Sequence, residues 1–533
     1  MTNKTNEEID IVIIGAGFSG LYALHRLRDY KVVCLEAGDG VGGTWYWNRY
    51  PGARVDIKSV EYSYSFDEAL QQEWTWPEYF SAQPDLERYA NHVADRFGLR
   101  DSIRFSSAVT KMTFNEDTNL WHVRTSRGDH LVSRFVIAAT GSLTAPNSPP
   151  WPGRESFVGE ILHTARWPKE GVNFEGKRVG FIGTGSTGIQ AMPIIAEQAK
   201  ELIVFQRTPA FCMPSGNRPL DKEHDSDWKA HYAERRRAML DTYGASLIDY
   251  PTASAHDYPP EERNAILEQA WSSKNAFQLL FAFNDVMTDA AANELVCKFV
   301  RSKIRSIVAD PNIAELLCPT TYPIGGKRLC IGNGYYEMFN RDNVTLVDAK
   351  ASPIAAFTES GLRTETQEYE LDIIVTATGF DAITGALKRI DIEGCAHRKL
   401  AEKWADTPET YLGAMASGFP NLFMIHGPTT PAAQAQMITT GEWQVNWTAD
   451  IIEELMREGQ TRIDVTEDAE QEWAQEVAMV ADGSLHKFAD SWYNGKNIEG
   501  KKGGFMIYVG GFSRYRQLCE EAVAQNYRGF VRS

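Results

Sequence analysis

Two predicted strand ends carry side chains of opposite charge at the same place in two repeated units. Glu36 ends the apolar run KVVCLE, and Gln206-Arg207-Thr208 ends the run that begins ELIVF. A carboxylate in this position accepts hydrogen bonds from the hydroxyls of a ribose, and it would repel a phosphate on that sugar. An arginine beside a hydroxyl binds such a phosphate. The first end therefore predicts FAD or NAD, and the second predicts NADPH.

Each of these ends belongs to a unit in which a glycine-rich turn joins an apolar strand to a helix. The first turn runs from Gly15 to Gly20 after IDIVII, and the second runs from Gly183 to Gly188 after KRVGFI. The first glycine permits the tight bend, the second lets the backbone approach a pyrophosphate, and the third lets the helix pack against the strand. Strand, turn, helix, second strand and terminal side chain follow in order, which predicts two dinucleotide sites.

The segment GGTWYWNRYPGARVD, residues 42–56, follows the first unit and combines glycines with aromatic rings. Such a segment can wrap closely around the isoalloxazine of a flavin, which favours FAD as the first nucleotide. The alternative interpretation is an aromatic-rich surface loop.

The rest of the chain indicates how these units are arranged. Two buried-strand runs end in Ala-Thr-Gly, at residues 139–141 and 377–379, and each is where the chain is expected to pass from one nucleotide domain to the other. Residues 220–322 have helical spacing and predict an insertion. The predicted fold is α/β, with two Rossmann-like dinucleotide-binding domains and a helical insertion. We assign residues 1–145 and 386–533 to the FAD domain, 151–219 and 323–385 to the NADP domain, and 220–322 to the insertion in the NADP domain.

Composition limits the classes of partner. The chain has 533 residues, 43% of them hydrophobic, and a formal net charge of −17, which argues against a nucleic-acid partner. The run IDIVIIGAGFSGLYAL is too short to span a membrane, and MTNKTNEEID is not the basic leader of a signal peptide. We expect a cytoplasmic protein without a membrane partner, either a monomer or a weak homo-oligomer.

The cysteines argue against two further classes. They are odd in number and lie far apart, at Cys34, Cys212, Cys297, Cys318, Cys330, Cys395 and Cys519. Without a CxxC pair, neither a redox dithiol nor a zinc site is predicted, and no other metal site is expected. A disulfide reductase is therefore disfavoured. A nucleotide-binding scaffold is disfavoured too, because it would not need two turns with matched FAD and NADP endings.

The stretch FVGEILHTARWP carries a histidine and a tryptophan at a fixed interval, just before the second turn. Its Phe157, Gly159, His163, Trp167 and Pro168 match the pattern F-x-G-x-x-x-H-x-x-x-W-P or -D. This is the fingerprint of the flavin-dependent (type I) Baeyer–Villiger monooxygenases, and the chain resembles that family over nearly its whole length. The likeness is greatest to the phenylacetone, steroid and cyclohexanone monooxygenases. Related N-hydroxylating and flavin-containing monooxygenases have another residue where Trp167 stands.

The resemblance implies a catalytic pair. The family's catalytic arginine follows a lysine in a glycine-rich turn, which matches Lys327-Arg328, and an aspartate that pairs with it matches Asp56. A guanidinium suits the role because it keeps its proton beside developing negative charge. Lys327 would contact the 2′-phosphate, and Trp492 would contact bound NADP.

Motifs and resemblance together assign both cofactor sites. The FAD residues are Gly15, Gly17, Ser19, Gly20, Glu36, Gly43, Thr44, Trp45, Asp56 and Tyr62. The NADP residues are Gly183, Thr184, Gly185, Ser186, Thr187, Gln190, Arg207, Thr208, Lys327, Arg328 and Trp492.

The implied activity is a Baeyer–Villiger oxidation. NADPH would reduce FAD, the reduced flavin would capture O₂ as a C4a-peroxyflavin, and one oxygen atom would enter beside a ketone carbonyl to give an ester or lactone. The alternative is a flavin monooxygenase that oxidises amines or sulfides. Trp167 and Lys327-Arg328 favour the first activity.

Two further expectations concern the surroundings of the site. His163 invites a role as general base, but the chemistry requires no base at a carbonyl, so we predict that His163 couples the domains. Leu143 and Met437 are expected on the substrate wall. In the loop GPTTPAAQAQM, Ala435-Gln436 stands where the family commonly has Ser-Asn, so the resemblance does not give the size of the ketone.

Overall fold

The strands and helices are known from a computed structural model, which describes residues 7–273, 276–432, 434–497 and 503–533. The expectation about the leader MTNKTNEEID lies partly outside the described residues, because residues 1–6 are not among them. Ala433 of the loop GPTTPAAQAQM is also outside them.

The described residues form 20 β-strands. They are β1 (Glu7–Ile14), β2 (Val32–Leu35), β3 (Ile103–Arg104), β4 (Val109–Asn115), β5 (Leu120–Thr125), β6 (His130–Ala138), β7 (Glu160–His163), β8 (Arg178–Ile182), β9 (Glu201–Gln206), β10 (Cys212–Pro214), β11 (Cys330–Gly332), β12 (Val344–Asp348), β13 (Ile354–Phe357), β14 (Gly361–Thr364), β15 (Glu368–Glu370), β16 (Ile373–Thr376), β17 (Asp391–Glu393), β18 (Leu422–Met424), β19 (Ile463–Val465) and β20 (Phe530–Arg532).

The same residues form 15 α-helices. They are α1 (Phe18–Arg26), α2 (Thr44–Trp47), α3 (Glu68–Glu73), α4 (Gln83–Arg96), α5 (Ser186–Gln198), α6 (Lys222–Ala230), α7 (Tyr232–Leu240), α8 (Pro260–Ser272), α9 (Ala290–Ile307), α10 (Pro311–Leu317), α11 (Gly385–Lys388), α12 (Leu400–Lys403), α13 (Met437–Arg457), α14 (Glu467–Asp482) and α15 (Phe512–Ala524).

The larger sheet holds the first nucleotide turn. Its strand order is β17-β4-β5-β6-β1-β2-β3, and β18 also pairs with β6. At its centre β1 lies parallel to both β2 and β6, with Ile14 paired to Leu35 and to Ala138. The carboxyl ends of these strands therefore meet at one edge, where ligands of open parallel sheets bind.

A second sheet repeats this arrangement. It has five parallel strands in the order β12-β9-β8-β16-β7, and Ile182 at the end of β8 pairs with Thr376 of β16. The turn that begins at Gly183 leaves from this edge. Two separate parallel-stranded centres, each followed by a glycine turn and a helix, confirm the predicted α/β class.

The two Ala-Thr-Gly runs have equivalent contacts in the two sheets. Gly15 has φ +102°, and a Cβ added there would lie 2.6 Å from the carbonyl oxygen of Ala139. Gly183 has φ +108°, and a Cβ there would collide with the carbonyl oxygen of Ala377. Each run thus packs its backbone against the first glycine of a turn, so no side chain fits at either glycine.

Two linkers run side by side between the sheets. The amide of Asn147 donates to the carbonyl of Gly379 at 2.9 Å, and the amide of Ile383 donates to the carbonyl of Ser142 at 2.8 Å. Residues 142–147 and 379–383 therefore form one antiparallel connection. This pairing fixes where the chain leaves the first sheet and where it returns.

Residues 220–322 are helical, and their helices pack on both sheets. Leu267 of α8 and Val296 of α9 lie in the core cluster of the second sheet. Trp228 of α6 and Tyr232 of α7 instead lie in the core cluster of the first sheet, because their aromatic rings pack against it. The insertion therefore bridges the two sheets, and the predicted domain boundaries remain a proposal.

We expect Arg236→Met to lower the free energy of unfolding by roughly 2–4 kcal/mol. Arg236 on α7 is only 6% exposed, and its guanidinium donates to the carbonyls of Glu61 at 2.6 Å and Val60 at 3.0 Å. The substitution leaves these buried acceptors without donors. Urea unfolding followed by tryptophan fluorescence measures the effect. Arg237→Met is the control, since the neighbouring Arg237 is exposed; equal losses in the two variants would contradict the bridging role.

Candidate active site

The carboxylate at the end of β2 is oriented by backbone amides. Glu36 is 5% exposed, and its two oxygens accept hydrogen bonds from the amides of Ala16 and Gly38, both at 2.7 Å. Burial raises the pKa of Glu36, while the amide hydrogen bonds oppose that shift. Each carboxylate oxygen keeps a further lone pair for a sugar hydroxyl. The structure thus places Glu36 beside the first turn, as the sequence predicts.

The segment 42–56 lies over the first turn. A Cβ on Gly17 would lie 3.5 Å from the Cα of Gly43, so backbone meets backbone at this point. Thr44 begins the short helix α2, and the indole of Trp45 donates to the hydroxyl of Tyr62 at 3.1 Å. Burial raises the pKa of Tyr62 to about 12. These residues form an aromatic layer above the turn.

Two residues of the first turn allow close packing of helices. Gly20 lets α1 approach the strand, and Ser19 lies against α13. A Cβ on Gly20 would collide with the carbonyl oxygen of Gly15, so α1 can approach the strand only with glycine. Ser19 Oγ lies 2.9 Å from where a Cβ on Gly441 of α13 would be. Helix α13 therefore crosses α1 close to the turn.

The second turn is built like the first, except that the backbone at its second glycine, Gly185, is open to approach. A Cβ on Gly188 would collide with the carbonyl oxygen of Gly183, whereas a Cβ on Gly185 would have nothing within 4 Å. Gly185 is the residue before α5, so the amino end of that helix can be approached closely by an anion. Thr184 Oγ1 donates to the carbonyl of Thr208 at 2.8 Å, which ties the turn to the end of β9.

Two cations lie together beyond the end of β9. Arg207 is exposed, and Lys327 Nζ lies 4.8 Å from the centroid of the Tyr322 ring. Burial, and then the charge of Arg207, lower the pKa of Lys327, while Asp490 acts in the opposite direction. A phosphate dianion between the two cations would relieve their repulsion. Two of the residues predicted for the 2′-phosphate, Arg207 and Lys327, are therefore close enough for their charges to act on each other.

The segment 42–56 also contacts the second turn. The hydroxyl of Tyr50 donates to Gln190 Oε1 at 3.0 Å, and Gln190 Nε2 donates to the carbonyl of Arg54 at 3.2 Å. Thr187 forms a further hydrogen bond with Tyr50, whose pKa burial raises to about 12. One segment therefore contacts the residues assigned to both nucleotides.

Asp56 and Arg328 form an ion pair at the end of this segment. Arg328 Nε and Nη2 lie 2.8 and 2.7 Å from Asp56 Oδ2, and the side chains are 21% and 25% exposed. Burial by itself lowers the pKa of Arg328, but Asp56 and Tyr493 together outweigh burial and raise it. The guanidinium therefore stays charged at any working pH. Ser186 of the second turn contacts Cys330 just beyond it, with 3.4 Å between Oγ and Sγ.

The sequence did not single out Tyr493, which contacts Arg328. Its hydroxyl is hydrogen-bonded to the guanidinium, and burial raises its pKa to about 12. The ring of Phe277 lies 5.2 Å from the guanidinium carbon, a cation–π distance. Tyr493 follows Trp492 directly, with 4.5 Å between the ring centroids, so its place beside a predicted cofactor contact was the available signal.

The predicted substrate-wall residues share one apolar cluster. Leu143, Met437 and Trp492 pack against its buried members, Ala382, Ile383, Ala432, Ala481, Tyr493, Met506, Ile507 and Val509. Because Tyr493 belongs both to this cluster and to the contacts of Arg328, the apolar wall adjoins the ion pair. Gln436 serves another purpose, since its side chain caps α13 by accepting from the amide of Thr439.

The fingerprint residues lie between the sheets. His163 ends β7; its Nδ1 accepts from the amide of Ala165 at 3.1 Å, and its Nε2 lies 3.3 Å from the carbonyl oxygen of Asn147. An Nδ1 that accepts leaves the proton on Nε2, which then donates to Asn147. Burial lowers the pKa of His163, so the neutral ring is favoured. Both ring nitrogens thus contact backbone groups, and the coupling role of His163 stays a prediction.

The other fingerprint residues are packing residues. A Cβ on Gly159 would collide with the carbonyl oxygen of Asp372, and Phe157 is buried in the cluster on that side of the second sheet. Trp167 is buried in the other cluster of the same sheet. Next to it, the guanidinium of Arg166 lies 4.3 Å from the ring centroid of Trp47, which joins the fingerprint to α2 of the first sheet.

Two other features bear on the class of site. In the described part of the chain, no group of three or more His, Cys, Asp or Glu side chains is arranged to hold a metal ion. Among the same residues, no helix is both long enough and apolar enough to cross a bilayer. The seven cysteines are free thiols, and all except Cys395 are buried.

Two nucleotide turns joined by a charged pair and an apolar wall define a two-nucleotide oxidoreductase. Residues 8–243 match the family described as Flavin-binding monooxygenase-like. A Baeyer–Villiger monooxygenase from Pseudooceanicola batsensis is 40% identical to this chain, over 100% of the chain and 97% of the relative. At that similarity, the chain belongs to the Baeyer–Villiger monooxygenase family, which confirms the predicted family.

Two solved structures are similar over almost the full length. Oxidized steroid monooxygenase bound to NADP is 46% identical, with a TM-score of 0.93 over 98% of this chain and 99% of that one. The complex of OTEMO with FAD and NADP is 39% identical, with a TM-score of 0.95 over 98% and 99% of the two chains. The predicted class, with two dinucleotide-binding domains, is therefore confirmed.

We expect Gly185→Ala and Gly188→Ala to fail differently. Gly185→Ala should keep the melting temperature, because a Cβ there has nothing within 4 Å, but it should raise the KM for NADPH about tenfold by blocking the backbone approach. Gly188→Ala should lower the melting temperature by several degrees, because backbone must shift. Thermal unfolding and initial rates separate the two effects, and identical behaviour of the variants would contradict this account of the turn.

We expect His163→Ala to retain FAD while less ester forms per NADPH oxidised and more hydrogen peroxide is released. The folded-state pKa of His163 is lowered. The contribution of the neutral ring to the folded state is therefore complete above about pH 6.5, and it is lost as the pH falls through the lowered pKa. Wild-type coupling should therefore fall as the pH drops through the lowered pKa of His163, and the variant should lack that step. Flavin absorbance and a peroxide assay measure both effects. A variant with a higher ketone KM but intact coupling would be evidence against the role.

Proposed function

We propose that the chain inserts one oxygen atom of O₂ beside a ketone carbonyl to give an ester or lactone, with FAD and NADPH as cofactors. The observation that carries this is the Asp56–Arg328 ion pair, which adjoins an apolar wall and lies where both nucleotide turns are in reach. Ketone, O₂, NADPH and a proton are consumed, and ester, NADP⁺ and water are formed. Bound FAD, once reduced by NADPH, would supply the electrons that activate O₂.

The residues fit these cofactors. The amide-bound Glu36 carboxylate faces the first turn, where it would hold the ribose of FAD. The open approach to Gly185 would admit the pyrophosphate of NADPH, and Arg207 with Lys327 would bind its 2′-phosphate. Segment 42–56, with Trp45 and Tyr62, would cover the flavin.

The Asp56–Arg328 ion pair would act on the ketone during the reaction. Arg328 would hold its guanidinium against the negative charge that develops as the carbonyl is attacked, and Asp56 with Tyr493 fixes its orientation. The apolar wall that includes Leu143, Met437 and Trp492 would exclude water from the reacting atoms. His163 would couple the domains by binding the Asn147 linker.

Oxidation of amines or sulfides is the alternative for this site. Those reactions need a protonated oxygen donor, whereas a permanently charged arginine favours an anionic one. The raised pKa of Arg328 therefore supports ketone oxidation. We also propose that the protein acts in the cytoplasm, as a monomer or weak homo-oligomer, because seven unpaired cysteines suit a reducing compartment.

We expect Arg328→Met to abolish ester formation, a loss of at least about 10³-fold or 4 kcal/mol in kcat/KM, while FAD remains bound. The yellow holoprotein, NADPH and O₂ are mixed with linear, cyclic, aromatic and steroidal ketones, and products are identified by mass spectrometry. Arg305→Met is a matched control, since Arg305 pairs with Glu315 on the exposed side of the insertion. Wild-type protein that oxidises NADPH but makes only peroxide, or an N-oxide or sulfoxide in place of an ester, would overturn the proposal.

A further inference from the structure

A cavity lies between the insertion and the first domain. It has a volume of about 540 Å³. Its lining includes the cations Lys58 and Arg218 and the apolar or aromatic side chains of Tyr250, Ile266 and Phe281. Polar side chains, among them Gln269 and Gln278, complete the lining.

This cavity adjoins the ion pair through two chain segments. Gln278 lines the cavity, and its neighbour Phe277 lies 5.2 Å from the guanidinium carbon of Arg328. On the other side, Lys58 lines the cavity only two residues after Asp56. Two residues of extended chain span roughly 7 Å. The cavity therefore lies close to the ion pair on both segments.

Aromatic rings connect the cavity with the apolar wall. Tyr250 and Phe281 line it, with 4.8 Å between their ring centroids, and Tyr243 lies 6.1 Å from Phe281. The hydroxyl of Tyr243 donates to the carbonyl of Val509, which belongs to the apolar cluster beside Arg328. Contacts between side chains therefore lead from the cavity to the apolar cluster beside Arg328.

The cations of this cavity are weakly compensated. The carboxylate of Glu61 lies 4.0 Å from Lys58, at the outer limit of an ion pair. The guanidinium of Arg218 lies 3.5 Å from the centroid of the Tyr79 ring, and within the described residues no carboxylate is in ion-pair distance of it. This is uncommon in a chain whose net charge is −17.

Two further groups complete the electrostatics of the lining. His224 Nε2 is buried without a hydrogen-bond partner, and burial lowers the pKa of this ring, so it stays neutral and can donate. Asp249 also lines the cavity, but it is exposed, and its charge is partly screened by water.

We propose that this cavity binds the anionic end of the substrate, so that the enzyme prefers ketones with a carboxylate or phosphate on an aliphatic chain. This rests on the proposed function. The carbonyl lies at Arg328, the chain crosses Phe281 and Ile266, and the anion reaches Lys58 and Arg218. Charge-assisted hydrogen bonds to both cations supply the preference.

The test compares tails of different charge on otherwise identical ketones. Linear oxo acids, their methyl esters and the corresponding oxo-alkyl phosphates are prepared in several chain lengths. We expect kcat/KM for at least one anionic series to exceed that of the neutral ester about five- to tenfold, with a maximum at one length. Added salt should reduce the excess, because the cavity is open to water. Carboxylate and phosphate arms identify which anion the site takes.

Variants locate the effect in the cavity. Lys58→Met with Arg218→Met should remove most of the anionic preference, Lys58→Arg should retain it, and Asp249→Asn should increase it. Lys350→Gln removes one positive charge from an exposed lysine on the turn after β12, away from the cavity, and should leave the preference unchanged. Calorimetry on the holoenzyme with a fatty acid that lacks a ketone should detect binding in wild type and not in the double variant.

Two results would overturn the inference. One is equal kcat/KM for anionic and neutral tails at every length, and the other is an anionic preference that survives in the double variant. Failure of the proposed function is distinguishable from both, because then no ketone of any charge yields an ester.

Discussion

The ion pair between Asp56 and Arg328 is the contact on which the rest of the site depends. Asp56 lies after the first nucleotide unit, and Arg328 lies between α10 of the insertion and β11, so the pair can form only when these distant parts of the chain are correctly placed. A partly buried ion pair contributes little net stability, because desolvation offsets most of the attraction. Its value is geometric: it holds a permanent positive charge beside an apolar wall, with Tyr493 as a second hydrogen-bond partner.

Two connections between the sheets help to place Asp56 and Arg328 next to each other. The carbonyl of Asn147 accepts hydrogen bonds from Thr378 Oγ1 at 2.5 Å and from His163. One atom thus joins the outgoing linker, the returning linker and the fingerprint strand. Segment 42–56 makes the second connection, since it lies over the first turn, contacts Gln190 of α5 just after the second turn, and ends at Asp56. A change at either nucleotide can therefore reach the ion pair through few contacts.

Short-range patterns predicted much of this site. In each unit the strand, the turn and the terminal residue, Glu36 or Arg207, lie within about 30 residues of each other, where steric rules and periodicity are informative. The resemblance added Asp56 and Arg328. Neither source could identify Tyr493 beside Arg328, or α6 and α7 on the first sheet, because those contacts join residues more than a hundred positions apart. The bridging by Arg236 and the basic cavity depend on the same long-range packing.

A double-mutant cycle tests the central claim most directly, namely that Asp56 acts through Arg328. The free energy of unfolding of the holoprotein is measured for Asp56→Asn, Arg328→Met and the double variant. Each single change leaves one unpaired charge, so the account predicts that the double variant loses about 1–3 kcal/mol less than the sum of the single losses. Losses that add within about 0.5 kcal/mol would contradict the account, because the two residues would then act independently.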